Sequence, residues 1–122
     1  MTINHILMVG IGGFFGAISR FWVSQAINKR IKPKIPVATL FINLLGSLLL
    51  GLMVGLGLNG NLFMLLGTGF MGAFTTFSTF KLEGIQLHIE RRKKEFFLYN
   101  FFSYGGGILL AFVGVQLGLW LA

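Results

Sequence analysis

Four long apolar stretches separated by short polar connections organise the chain. A helix rises 1.5 Å per residue, so about 20 apolar residues cross a hydrocarbon layer about 30 Å thick. Stretches of that length run over about 3–27, 36–58, 61–88 and 96–122. The second carries no charge, opens on Pro36 at a first-turn position where no donor is missed, and holds a single amide side chain, Asn43. The first is interrupted only by Arg20, and the fourth has no charge. The third stays uncharged from Asn61 to Phe80 and then passes through Lys81 and Glu83. The pattern predicts an all-α integral membrane protein, with four transmembrane helices in one domain over residues 1–122.

Composition strengthens that reading. Of 122 residues, 55% are hydrophobic and 11% charged, and mean hydropathy is +0.83, more apolar surface than a water-soluble fold of this size could hide. The net charge of +7 would suggest nucleic acid in a soluble domain. Here the cations flank the spans, which is the ordinary positive-inside signal, and no nucleic-acid partner is implied. Lys29, Arg30, Lys32 and Lys34 occupy the first connection and Arg91, Arg92, Lys93 and Lys94 the third, whereas the Asn59-Gly60 connection has no cation. The bias predicts a multi-pass protein of the cell membrane with both termini extracellular. The absence of cysteine excludes disulfides and thiolate metal sites.

Small residues recur every four positions in Gly12 and Gly16, in Ser47, Gly51 and Gly55, and in Gly114 and Gly118. Such stripes let helix backbones approach closely, although glycine is also simply common in membrane helices.

Residues 72–80 depart from the pattern. They read Gly-Ala-Phe-Thr-Thr-Phe-Ser-Thr-Phe in the middle of the third stretch. Four hydroxyls and three aromatic residues of modest helix propensity, preceded by Gly67 and Gly69, make a weak helix and predict a break. Unpaired backbone in hydrocarbon costs several kcal/mol per group, so a break at that depth must be buried in protein or line a wet cavity. Broken helices in transport proteins set free carbonyls and half-helix ends against ions. The alternative is a continuous helix whose Ser and Thr hydroxyls bond back one turn.

Other polar residues within the stretches are few. Phe77 and Phe80 would share a face of a helix restarting after the break, and ring edges are electropositive. Asn43 could donate to an anion or tie two helices together, and Arg20 could attract an anion or snorkel to the interface. Tyr99 and Ser103, four apart, would place two hydroxyls on one face. The acids Glu83, Glu90 and Glu95 fall at or beyond the inner end of the third stretch, leaving an interior rich in donors and poor in carboxylates. Such an interior suits a small, tightly hydrated anion, which needs donors in place of its water. No nucleophile, base and orienting group converge, so no enzyme is indicated.

With these residues in view, the sequence resembles the Fluc/CrcB fluoride channel family over nearly its whole length. The resemblance rests on Gly-Gly-Phe-Phe-Gly-Ala-Ile-Ser-Arg at 12–20, on 39–51 with Asn-Leu-Leu-Gly-Ser at 43–47, and on Thr-Thr-Phe-Ser-Thr-Phe at 75–80. It implies two subunits packed in opposite orientations around a pair of anion pores that pass fluoride passively out of the cytoplasm, lowering its toxicity. It implies Phe77 and Phe80 as rings along the fluoride path, Asn43 as its amide, Ser78, Thr79, Tyr99 and Ser103 as its polar track, and Arg20 near a vestibule. It further implies a structural sodium ion on the dimer axis, held by main-chain carbonyls of Gly72 and Thr75.

Two features depart from that pattern. Gly105, Gly106 and Gly107 stand where larger or hydroxyl residues are expected beyond Ser103. A chain that inserts both ways should also have balanced loops, and these are one-sided, so the expected partner is a separate homologous chain of reversed bias. A small four-span multidrug exporter is the alternative reading, but it would need a carboxylate in the first span, and 3–27 has none.

Overall fold

The computed structural model describes residues 3–30, 36–75 and 78–122, with backbone alone at Ser78 and Thr79. The described residues are helical and contain no strand. Helix α1 spans Ile3–Arg30 and α2 spans Val37–Leu56. Helix α3 (Gly60–Phe63) widens into a π-helical segment (Met64–Met71) and closes in α4 (Gly72–Phe74). Helix α5 (Ser78–Ile89) and helix α6 (Lys93–Leu121) complete the chain. By length and composition α1, α2 and α6 can each cross a bilayer, and Gly60–Phe74 is a shorter apolar helix, which makes this a multi-pass membrane protein.

The helix ends follow local chemistry. Gly57 adopts left-handed φ of 79° after α2, so its amide reaches the Val54 carbonyl and the Leu58 amide the Met53 carbonyl. The end of α5 repeats this pairing, with Arg91 at φ 59° and the Arg91 and Arg92 amides on the His88 and Leu87 carbonyls. Helices α1 and α6 run past the apolar stretches into charge, α1 ending on Lys29 and Arg30 and α6 opening on Lys93 and Lys94. Cations in the last turn of α1 favour that extension through the helix dipole, and Glu95 does the same in the first turn of α6.

Glycine decides which helices touch. A Cβ on Gly12 would overlap the Leu65 carbonyl oxygen, and one on Gly16 would overlap that of Phe70, so α1 lies backbone to backbone on the π-helical segment. On the other side α2 lies on α6: Gly51 faces Ala111, Gly55 faces Val115, and Gly114 faces Leu48 and Leu52. Paired numbers rise together, so α2 and α6 run parallel. Two small clusters flank the joint between α4 and α5: Ile42, Met71 and Phe74 on one side, Phe80, Leu87 and Tyr99 on the other. Most other large apolar side chains, such as Trp22, Phe101 and Trp120, face outward, as a lipid-embedded surface requires.

Because the Gly51 contact is with backbone and cannot yield, Gly51→Ala should destabilise the detergent-solubilised protein by about 1–3 kcal/mol. Gly10→Ala, whose Cβ meets nothing within 4 Å, should leave the thermal midpoint unchanged or raised. Thermal denaturation of both variants checks the contrast.

Candidate functional site

The break lies at Thr75. Its backbone is extended, at φ −84° and ψ 159°, between α4 and α5. Its amide donates to the Met71 carbonyl at 3.0 Å, and its Oγ1 donates to the same oxygen at 2.8 Å. The carbonyls that follow, from Gly72 to Phe74, belong to a helix end and have no partner within α4. Helix α2 touches the break through Gly46, where a Cβ would overlap the Thr75 methyl group.

Beside the break is a cavity of about 340 Å³ whose lining includes Asn43, Ser47, Thr68, Met71, Gly72 and Thr75. The expected ion-site residues Gly72 and Thr75 thus share one cavity with the expected pathway amide Asn43. Among the described residues, a Cβ built on Gly72 meets nothing within 4 Å.

A second group forms around α5. The buried Phe80 ring lies 5.1 Å from that of Tyr99, tilted by 58°, and 5.4 Å from that of Tyr104 in an edge-on arrangement. The Lys81 Nζ sits 5.4 Å from the centroids of both Phe80 and Tyr104. A cation held on the negative ring faces leaves the positive ring edges for other partners. Nearby, the Thr39 hydroxyl donates to Glu83 Oε1 at 2.6 Å. The Tyr99 side chain is fully buried, with Glu83 and Thr39 as its polar neighbours. Among the described residues neither the Tyr99 hydroxyl nor the Ser103 hydroxyl has a hydrogen-bond partner, although both oxygens are buried. Buried hydroxyls in an apolar surround normally find an acceptor, which marks these two on α6 as a candidate place for one.

The structure therefore brings Phe80 and Tyr99 together, keeps Ser103 one turn along the same helix, and sets Asn43 at the cavity. Arg20 is half-buried on α1 and enters neither the cavity nor the ring cluster. Ser78 and Thr79 lie in the first turn of α5. Phe77 falls outside the described residues.

Sequence reasoning missed three contributors. Glu83 belongs to the bundle: it lies within α5, half-buried, bonded to a residue 44 positions away. Its spacing three residues after Phe80, which puts both on one helix face, was the available signal. Tyr104 and Lys81 frame Phe80, and no local pattern marks that pair.

The sequence also matches known proteins. Residues 7–115 match the family described as CrcB-like protein, Camphor Resistance (CrcB), a range that includes every site residue named above. The chain is 54% identical over 112 residues to the fluoride-specific ion channel FluC 2 of Bacillus cereus (strain ATCC 10987 / NRS 248), covering 92% of this chain and 95% of that protein. It is 46% identical over 112 residues to the fluoride-specific ion channel FluC 1 of Geobacillus kaustophilus (strain HTA426), covering 92% and 96%. With the fluoride-specific ion channel FluC 1 of Listeria monocytogenes serovar 1/2a (strain ATCC BAA-679 / EGD-e) it shares 42% identity over 119 residues, covering 98% and 100%.

The Thr39–Glu83 bond yields a direct expectation. Thr39→Val removes the donor and leaves the carboxylate short of a partner, so stability should fall by about 1–3 kcal/mol, whereas Thr39→Ser should retain it. Thermal denaturation in detergent distinguishes the two.

Proposed function

The chain belongs to the CrcB family, and from that membership we propose that it is one subunit of a fluoride-specific ion channel. It passes fluoride down its gradient out of the cytoplasm, without energy coupling, and so lowers fluoride toxicity. The observation that carries the reading is the pair of buried hydroxyls at Tyr99 and Ser103, which meet no hydrogen-bond partner among the described residues, beside the Phe80 ring. Fluoride is a compact, strong acceptor; a path of donors and ring edges replaces its hydration shell.

In this reading Asn43 offers its amide from the cavity, and Phe77 and Phe80 present ring edges. Ser78, Thr79, Tyr99 and Ser103 supply hydroxyl donors, and Arg20 attracts the anion at a vestibule. The reading is of a channel with no catalytic step.

The working assembly is two antiparallel subunits in the cell membrane, each a single domain with four spans. The third span is Gly60–Phe74 followed by α5. The termini face outward and the basic connections inward, because the eight loop cations lie on one side. That bias also supports a partner of reversed charge, as does the occurrence of both FluC 1 and FluC 2 among the relatives' names.

A structural sodium ion fits the break. Among the described residues no group of three or more His, Asp or Glu could hold a metal, so neutral oxygens must serve. Helix-end carbonyls at Gly72 and Thr75, two residues that line the cavity, are hard oxygen donors of the kind sodium prefers. The ion would supply a fixed positive charge joining the two subunits' breaks.

Fluoride-electrode efflux from proteoliposomes tests the whole reading. Rapid passive efflux should require this chain together with a homologue of reversed loop charge. Full efflux from this chain alone would overturn the mixed pair, and proton-dependent drug uptake without fluoride efflux would overturn the channel. In the conducting pair, Phe80→Ile should cut efflux by about tenfold or more, equal to about 1.4 kcal/mol or more, with assembly intact. Unchanged efflux would remove Phe80 from the path.

A further inference from the structure

The row of hydroxyls on α6 stops early. Tyr99 and Ser103 are four residues apart, and the next position on that face is 107, where the chain has glycine. Helix α2 repeats the spacing with Thr39, Asn43 and Ser47. Three contacts of α2 with α6 share an offset of 60: Gly51 with Ala111, Gly55 with Val115, and Ser47 with Gly107. By the same offset Thr39 is level with Tyr99 and Asn43 with Ser103.

The contact at Gly107 is specific. A Cβ built there would lie 3.4 Å from the Ser47 Oγ, and no other neighbour comes within 4 Å. The space left empty by α6 is the space to which the α2 hydroxyl points. Ser47 also lines the cavity that holds Asn43 and Thr75, and its neighbour Gly46 touches Thr75 at the break.

We propose that Ser47 is a further fluoride-binding residue, supplying from α2 the hydroxyl donor that α6 lacks at Gly107. The inference rests on the reading of the chain as a fluoride channel subunit. Successive donors on this face are four residues apart, about 6 Å along the helix axis. Ser47 carries the row one further step from the level of Asn43 and Ser103 to the level of the break. Glycine at 107 is then part of the arrangement: it leaves the Ser47 hydroxyl unobstructed.

Efflux through the assembled channel tests this with Ser47→Ala and with the double variant Ser47→Ala, Gly107→Ser. Loss of one hydrogen bond to an anion should slow fluoride efflux about tenfold in Ser47→Ala. The double variant returns a hydroxyl to the same space from the opposite helix and should recover at least about half of the wild-type rate. A Ser47 that served only helix packing would not be rescued this way. Wild-type efflux in Ser47→Ala, or a double variant as slow as the single, overturns the proposal. A wild-type assembly that passes no fluoride would overturn the channel reading itself.

Discussion

A bilayer offers no water to an unpaired amide or carbonyl, and every other feature of this molecule answers to that constraint. An uninterrupted helix meets it alone, as α1, α2 and α6 do over 20 to 29 residues. The chain at Thr75 does not, because its backbone is extended and α4 ends there. Thr75 repairs one end by placing both its amide and its hydroxyl on the Met71 carbonyl. Thr75 and Gly72 also line a cavity that they share with Asn43, Ser47, Leu50, Thr68 and Met71.

Glycine makes that shelter possible. Gly46 lets α2 reach the break, Gly12 and Gly16 seat α1 on the π-helical segment, and Gly51, Gly55, Gly114 and Gly118 bring α2 onto α6. The last contact sets the register that aligns Thr39, Asn43 and Ser47 with Tyr99, Ser103 and Gly107. Two facing rows of polar side chains thus arise on helices whose spans are largely apolar, their register set by close backbone contacts. The acidic member, Glu83, is bonded to Thr39, so its charge is engaged beside a row of donors otherwise suited to an anion.

Much of this was legible in the chain. Long apolar runs define helices by themselves, and the hydroxyl-rich stretch at 72–80 announced a break that the structure locates at Thr75. Small-residue stripes announced close helix contact but not the partners, since Gly51 says nothing of Ala111 until the fold selects the pair. The π-helical Met64–Met71 was invisible because an apolar run looks the same with wide or narrow turns. Glu83 read only as a charge at the inner end of the third stretch because its partner is on another helix, and Tyr104 was one aromatic among many. What escaped the sequence is therefore pairwise and long-range.

The central claim is that the buried hydroxyls of Tyr99 and Ser103, which meet no acceptor among the described residues, serve to receive fluoride. Fluoride efflux through the assembled channel carrying Tyr99→Phe and Ser103→Ala addresses it most directly, because the substitutions remove two oxygens and little volume. The account predicts efflux slower by about a hundredfold, two lost donors at about tenfold each, with thermal stability preserved or raised. Efflux at the wild-type rate would contradict it.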